Sequence, residues 1–117
     1  MEAAVITIKC SSRNGMFGAR IQKMEDGDWW RTWAFPLTAS TARAERYDRV
    51  QVKGMLYPTP EYPGCPYCGA EAVVRCNGCG KLTCWKGETS LKCQWCGIQM
   101  ENITVSRDGI AVRGGGM

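Results

Sequence analysis

The sequence contains no histidine, the side chain that most often serves as a general acid or base and that commonly completes a zinc site. No paired carboxylates stand in a recognisable catalytic setting either. An enzyme would then need a metal ion with an open coordination position, and sites built from cysteine alone are usually closed. We therefore expect that this protein is not an enzyme.

Long hydrophobic runs are missing as well. No stretch approaches the roughly 20 apolar residues that a transmembrane helix needs. The chain begins MEAAV, which has neither the basic start nor the apolar core of a signal peptide. We expect a cytoplasmic protein with no membrane association. In that reducing compartment, clustered cysteines are more often metal ligands than disulfides.

What the sequence does contain is cysteine. Seven of its eight cysteines lie between residues 65 and 96, in three Cys-x-x-Cys-Gly units and one single position. The glycine that ends each unit allows the positive φ that the turn of a zinc knuckle requires. One unit would be weak evidence for zinc, whereas three within about 30 residues predict it. The first knuckle is Cys65/Cys68, the second is Cys76/Cys79 and the third is Cys93/Cys96, and the set of candidate ligands also includes Cys84 and Cys10.

The division of these cysteines between two expected zinc ions has two alternatives. The first and third knuckles could close one site, which leaves the second knuckle with Cys84. Alternatively, the first and second knuckles pair, and Cys84 joins the third. Either division leaves one set of three, whose fourth ligand would be Cys10, a carboxylate such as Glu88, or water. A buried thiol that binds no metal is the competing interpretation of Cys10.

The first knuckle reads CPYC, which is also the redox motif of glutaredoxins. A redox dithiol needs one cysteine at a helix N-terminus inside a βαβ frame. Here Gly69 follows the motif, no helical pattern comes after it, and two more knuckles stand close by. We therefore expect this unit to bind zinc.

Three tryptophans occur in one predicted strand, with Trp29 and Trp33 on one face and Trp30 on the other. Together with Arg20 and Arg31 they could form a platform for stacked bases. In a small lobe, however, we expect such large aromatic side chains to form the core. Trp30 is the one that we expect to be partly exposed, and an exposed tryptophan would mark a surface for a partner.

The formal net charge of +4 suggests a nucleic-acid ligand. Metal binding changes that balance, because eight coordinated thiolates add eight negative charges and two zinc ions return four positive ones, so the net charge falls to zero. The electrostatic signature of a nucleic-acid binder therefore weakens. A nucleic-acid-binding zinc ribbon remains the alternative function.

Alternating apolar residues predict a mainly β fold. Strands are expected over residues 3–10, 16–23 and 29–35, and short turns at 12–15 and 25–28 connect them into an antiparallel meander. The polar segment 38–48 suits a loop with one or two helical turns, and a fourth strand is expected over 50–56. The prolines of segment 57–64 should end that strand.

The same prolines suggest a boundary between two lobes. Residues 1–60 would form an N-terminal antiparallel β lobe, packed on a zinc-ribbon-like metal-binding lobe of residues 61–117. In the second lobe, segments 71–75 and 81–86 would form a hairpin with the second knuckle as its turn. Segment 102–112 would form a last hairpin, followed by a flexible glycine-rich tail at 113–117.

The cysteine-rich segment can be compared with a known family. Residues 62–69 (YPGCPYCG), 74–84 (VRCNGCGKLTC) and 93–97 (CQWCG) resemble the metal-binding domain at the C-terminus of TerY-type von Willebrand factor A proteins. That family belongs to bacterial tellurite-resistance and stress-response clusters. The resemblance assigns ligand roles to the cysteines that occupy the family's positions: Cys65, Cys68, Cys76, Cys79, Cys84, Cys93 and Cys96.

The resemblance also implies a function. It indicates a zinc-binding accessory module, encoded near a kinase and a phosphatase, that mediates contacts between proteins. We therefore expect a non-catalytic interaction module of a bacterial tellurite-resistance or stress-response phospho-signalling system. Its expected partner is a von Willebrand factor A, kinase or phosphatase component.

Overall fold

A computed structural model of the chain describes residues 2–13, 15–44, 50–54, 56–103 and 110–116. The described chain is mainly β, as the sequence predicts, with one short helix. Its strands are β1 (Ala3–Lys9), β2 (Met16–Lys23), β3 (Trp29–Pro36), β4 (Val50–Gly54), β5 (Leu56–Pro58), β6 (Ala72–Arg75), β7 (Leu82–Trp85), β8 (Leu91–Lys92), β9 (Gln99–Met100) and β10 (Ile110–Gly116), and the helix is α1 (Ala39–Ala44).

Eight of these strands form one sheet. Its main path runs β4-β10-β1-β2-β3-β5, and β1, β2 and β3 form the antiparallel meander that the sequence predicts. Strand β7 pairs with β1 in parallel and with β6 in an antiparallel hairpin. The short strands β8 and β9 form a separate pair. The large sheet thus joins strands from both sides of residue 60, while the division into two lobes stays a prediction.

The C-terminal strand corrects one expectation. The sequence predicts a flexible tail from residue 113, but β10 continues to Gly116 and pairs with β1 on one side and β4 on the other. Its three glycines carry no side chain that would hinder close approach of neighbouring strands. The hairpin predicted over residues 102–112 falls largely on segment 104–109, which lies outside the described residues.

The proline-rich segment also differs from its prediction. Strand β5 includes Tyr57 and Pro58 and pairs in parallel with β3, with Pro58 opposite Arg31. This strand lies at one end of the sheet path. Proline is tolerated at such an edge, because its missing N–H costs no hydrogen bond to a further strand. No helix in the described part of the chain is long and apolar enough to cross a membrane.

One continuous core connects the meander to the cysteines. The apolar residues that alternate along β1 and β2 are buried and include Ile6, Ile8, Phe17 and Ile21. The same core cluster includes Leu82 from β7, Tyr62, and the thiols of Cys10, Cys65 and Cys84. These three cysteines therefore belong to the hydrophobic interior beside the sheet.

A register shift in β3 changes the predicted distribution of tryptophans. Arg20 pairs with Trp33, but the next residue of β2, Ile21, pairs with Arg31. Thr32 is thus an extra residue, as in a β-bulge, and residues beyond it change face. Trp29 is buried while Trp33 is 54% exposed, so the prediction that these two side chains share a face is wrong.

Trp30, the side chain expected to be partly exposed, is half-buried. Its ring lies 4.8 Å from that of Tyr57, and its indole N–H donates to Asp26 at 3.2 Å. The exposed tryptophan of this strand is therefore Trp33.

Candidate metal centres

The three knuckles adopt one common turn. In each, the N–H of the first cysteine donates to the carbonyl of the residue five positions later, and the N–H of the glycine donates back to the carbonyl of that cysteine, with N···O distances of 2.7–3.0 Å. The glycines Gly69, Gly80 and Gly97 have φ values of 81°, 75° and 82°. The positive φ predicted from the sequence is therefore present in all three turns.

Cys10 begins a fourth turn of the same span. Its N–H donates to the carbonyl of Gly15 at 2.7 Å, again five positions later. The N–H of Arg13 points at the Cys10 sulfur at 3.3 Å, at the position that the second cysteine occupies in a knuckle. This turn therefore resembles a knuckle that has a cysteine at its first position only. The sequence predicted only a short turn here.

The eight cysteines form two sets of four, within each of which the sulfurs all lie within 4.8 Å of one another. Centre one consists of Cys10, Cys65, Cys68 and Cys84, and centre two consists of Cys76, Cys79, Cys93 and Cys96. Neither division considered from the sequence has this grouping. Both sets have four sulfurs, so neither needs Glu88 or water as a fourth ligand. Their roles as ligands stay predictions.

Strand pairing explains why Cys10 and Cys84 lie together. Because β1 and β7 are parallel, with Ile8 opposite Leu82 and Lys9 opposite Thr83, the next residues in register are Cys10 and Cys84. The β6–β7 hairpin places the second knuckle at its tip, away from Cys84. A contact between strands more than 70 residues apart leaves no local signal in the sequence.

The sulfur positions fit a tetrahedral metal ion. Four sulfurs at about 2.3 Å from zinc would lie about 3.8 Å from one another. Cys68 and Cys84 are 3.5 Å apart, and in centre two the Cys76–Cys96 and Cys79–Cys93 sulfur pairs are each 3.7 Å apart. All eight cysteines are free thiols, so neither centre is held by disulfides.

Backbone N–H groups surround the sulfurs, as thiolate ligands require. In centre one, Ser11 donates its N–H to Cys84 at 3.2 Å and has its hydroxyl 3.4 Å from the same sulfur. The N–H of Tyr67 lies 3.4 Å from the Cys65 sulfur, and that of Trp95 lies 3.4 Å from Cys93 in centre two. Such donors stabilise negative sulfur and orient it toward a metal. The residues present therefore fit a four-thiolate metal site.

The pKa values of the thiols show which of them must lose a proton before they can bind a metal ion. Burial raises the pKa of Cys65 to about 12 and that of Cys84 to about 11. Burial also raises the pKa of Cys79 to about 12. Burial acts in the same direction on Cys93, but N–H donation from Cys96 and Trp95 outweighs it, so its pKa falls to about 7. Without metal, most of these groups hold their protons at neutral pH, so metal binding must release protons.

The two centres differ in exposure. In centre one, Cys10, Cys65 and Cys84 are buried and belong to the core cluster. In centre two, Cys76 and Cys93 are buried, but Cys79 is half-buried and Cys96 is exposed. Centre one is thus part of the interior, whereas centre two opens to solvent on one side.

Trp95 fixes centre two against the large sheet. Its indole N–H donates to the carbonyl of Leu82 at 2.6 Å, and the Lys9 and Lys81 ammonium groups lie 4.7 and 4.5 Å from its ring centroid. Lys9 also donates to the carbonyl of Gln94 at 3.4 Å. The role of Trp95 was not predicted from the sequence, although its position inside the third knuckle could have indicated one.

A comparison with protein families agrees with this architecture. Residues 42–116 match the family described as the TerY-C metal binding domain. The chain belongs to this family. No significant match was found among curated proteins or among solved structures.

The match confirms the resemblance predicted from the knuckles, and the TerY-C domain is a metal-binding domain. Seven of the eight clustered cysteines lie inside the matched residues. Cys10 lies outside them, on the turn that follows β1. Centre one of this TerY-C protein is therefore assembled from the matched segment and the N-terminal meander together.

Proposed function

We propose that this TerY-C protein binds two zinc ions, one in each centre, and acts as a non-catalytic interaction module in a bacterial tellurite-resistance or stress-response phospho-signalling system. The observation that carries the proposal is the sorting of eight cysteines into two complete sets of four. Four thiolates satisfy the coordination of zinc and leave no position for a substrate. Such sites stabilise a fold and are usually not catalytic.

Zinc is proposed because of the chemistry of the donor set. Tetrahedral sites with four sulfur ligands favour zinc or iron, and zinc has no redox chemistry of its own. The eight free thiols also suit a reducing compartment, so we place the protein in the cytoplasm. Elemental analysis of protein purified without added metal identifies the ion, and a majority of iron would contradict this part of the proposal.

The metal stoichiometry tests the two centres separately. We expect native mass spectrometry to find two zinc ions in the wild-type chain and one in each of two variants, Cys10→Ser in centre one and Cys76→Ser in centre two. Ser12→Ala is the matched control, because Ser12 is exposed and lies two residues from Cys10. Two firmly held ions in Cys10→Ser would remove Cys10 from the ligand set and return it to the hydrophobic core.

The interaction role is supported by two large apolar side chains on the surface, Trp33 and Ile98. Large apolar side chains that lie together on an exposed surface mark sites that bind other proteins, and tryptophan is among the side chains that contribute most at such sites. The proposed partner is a von Willebrand factor A, kinase or phosphatase component of that system. Titration calorimetry with those purified components should detect binding that Trp33→Ser or Ile98→Ser weakens, and no binding to any of them would contradict the proposal.

A nucleic-acid-binding zinc ribbon is the second candidate. It is favoured by the cations Lys9 and Lys81, which flank the aromatic ring of Trp95 beside centre two. Filter binding over a salt series separates the two candidates. Tight binding that falls steeply with salt would support nucleic acid as the partner, whereas weak binding at low salt would support the interaction module.

A further inference from the structure

Strand register places two tryptophans on the outer face of the meander, which is the face opposite to the one that carries Ile21. In antiparallel strands, residues directly opposite one another point to the same face of the sheet. Arg20 lies opposite Trp33, and Gln22 lies opposite Trp30. Because Arg20 and Gln22 flank the buried Ile21 in β2, their side chains point away from the core. Both tryptophans therefore lie on the outer face.

Two further aromatic rings lie on the same face. Tyr57 of β5 pairs with Trp30, and their ring centroids are 4.8 Å apart. Phe35 lies opposite Gly18, and its ring covers that glycine so closely that an added Cβ would lie 2.6 Å from the ring. Trp33 is 54% exposed, and the other three rings are half-buried. The aromatic row, which consists of Tyr57, Trp30, Trp33 and Phe35, is thus a partly exposed apolar surface.

The aromatic row is acidic near Trp30. The turn from β2 to β3 lies beside this side chain, and the Trp30 indole N–H donates to the carboxylate of Asp26 at 3.2 Å. Residues 23–28 contain three carboxylates and one ammonium group, which gives a net charge of −2. Glu25 and Asp26 are exposed. This acidic turn, residues 23–28, therefore favours a partner that has a cation at this position.

The charges disfavour a nucleic acid on this surface. Arg20, the cation beside Trp33, already donates to the side chains of Gln22 and Thr32, each at 3.1 Å. The phosphates of a nucleic acid would also meet the acidic turn, whereas binding to phosphates needs clustered lysine and arginine. The aromatic row consequently fits an uncharged or basic partner better than an anionic one.

A proline-rich peptide has the complementary chemistry. Polyproline II segments dock on surfaces lined with aromatic side chains, and their preformed conformation limits the entropy lost on binding. Their backbone has no internal hydrogen bonds, so its carbonyls can accept from donors such as the Trp33 indole N–H and the Tyr57 hydroxyl. A basic residue next to the prolines would meet the acidic turn. Aromatic rings and carboxylates side by side thus match a proline-rich segment with a basic end.

We propose that the aromatic row binds a proline-rich segment of a partner protein in the polyproline II conformation, with an arginine or lysine of that segment against Glu25 and Asp26. This inference rests on the proposed interaction role and specifies the surface and the chemistry of the partner. Trp30, Trp33 and Phe35 precede the matched TerY-C residues. The N-terminal meander therefore supplies most of the surface.

Fluorescence anisotropy with labelled peptides tests the proposal on the full chain. The peptide APPAPPAPPR should bind, and AGGAGGAGGR, which lacks proline, should bind at least about 10-fold more weakly. APPAPPAPPE should bind about 2- to 5-fold more weakly than APPAPPAPPR, as expected for the loss of an exposed ion pair. Trp33→Ala should weaken binding of APPAPPAPPR by about 10-fold or more, which is typical of a tryptophan that anchors an interface.

Two control variants change similar groups elsewhere. Ile98→Ala removes a large apolar side chain that is 51% exposed, and it should leave the affinity for APPAPPAPPR unchanged. Glu25→Lys should abolish the preference for APPAPPAPPR over APPAPPAPPE, because it removes the net negative charge of the acidic turn. Glu101→Lys, at another exposed glutamate, should leave that preference intact.

The inference is overturned if APPAPPAPPR does not bind, if AGGAGGAGGR binds equally well, or if Ile98→Ala weakens binding as much as Trp33→Ala. It is also overturned if labelled oligothymidine, and not the peptide, binds in a way that Trp33→Ala abolishes. That result would assign the aromatic row to single-stranded nucleic acid.

NMR of the wild-type chain keeps the proposal testable should Trp33→Ala fail to fold. Addition of APPAPPAPPR should move the indole N–H signals of Trp30 and Trp33, and unmoved signals overturn the inference. Failure of the peptide would leave the proposed function standing if the von Willebrand factor A, kinase or phosphatase components still bind. Peptide binding without binding of any of those components would instead refute the proposed partners.

Discussion

Gly64 shows how a single residue shapes centre one. It immediately precedes Cys65 and has a φ of +84°, and a Cβ added there would lie 2.6 Å from the carbonyl oxygen of Gly69. Side chains essentially never approach the backbone so closely, and the backbone of the knuckle turn has little freedom to move away. Gly64 is therefore required both for its conformation and for the space beside the knuckle.

We expect Gly64→Ala to destabilise the zinc-loaded protein by more than about 2 kcal/mol, since the clash adds to the roughly 1–2 kcal/mol cost of a left-handed residue. Gly27→Ala is the matched control, because Gly27 has a φ of +86° but nothing within 4 Å of the added Cβ. It should cost only about 1–2 kcal/mol. Urea unfolding of both variants provides the comparison, and equal losses would show that the close approach at Gly64 does not matter.

Cys10 shows how much of a metal site can be predicted from single residues and their immediate neighbours in the sequence. The three Cys-x-x-Cys-Gly units identify seven candidate ligands, because the turn chemistry is local and each glycine has the positive φ that it predicts. The Cys10 turn has the same backbone hydrogen bond but lacks the second cysteine. From the sequence alone, Cys10 could therefore be proposed as a ligand but not distinguished from a buried thiol.

At the scale of elements, the meander was predictable and its irregularities were not. The alternation of apolar residues predicted β1 and β2, because a strand with one face in the core repeats every two residues. The bulge at Thr32 interrupts that period, and it reversed the predicted exposure of Trp33. A bulge depends on the partner strand, so the sequence of β3 by itself does not reveal it.

Pairing between distant strands was the other missing information. The parallel contact of β1 with β7 decides which cysteines share a centre, and the insertion of β10 between β1 and β4 gives the glycine-rich end a place in the sheet. Both contacts are non-local. Knuckle spacing alone therefore left two divisions of the cysteines open, and the structure has a third.

The elements that carry the two centres predict an order of metal loss. The third knuckle lies between β8 and β9, strands of two residues each that form their own sheet. Centre one is attached to the large sheet through β1 and β7. Short elements with exposed backbone open more readily than a core strand, so centre two should release metal first.

Alkylation of zinc-loaded protein in the presence of a chelator, followed by peptide mass mapping, measures that order. We expect Cys96 and Cys79 to be labelled first and the fully buried Cys10 and Cys84 last. The buried cysteines of centre two, Cys76 and Cys93, serve as internal controls, because they should follow Cys96 closely once their shared metal leaves. Labelling of Cys10 or Cys84 before Cys96 would contradict the prediction.

At the scale of the whole molecule, the two candidate metal centres connect different parts of the chain. Centre one lies where the meander, the first knuckle and the β6–β7 hairpin meet, and three of its four thiols belong to the core cluster. Centre two joins the tip of that hairpin to the third knuckle. In a chain of 117 residues, the proposed metal coordination would supplement a modest hydrophobic core. In the proposed metal-bound state, coordination by Cys10 ties the TerY-C segment to the N-terminal strands in addition to the sheet.

The most direct test of this account maps each metal ion to its ligands. In protein loaded with ¹¹³Cd, scalar coupling between the metal and the cysteine β-protons identifies the residues bound to each ion. We expect two resonances, one coupled to Cys10, Cys65, Cys68 and Cys84 and the other to Cys76, Cys79, Cys93 and Cys96. A single ion coupled to cysteines of both sets, such as Cys65 together with Cys93, would contradict it.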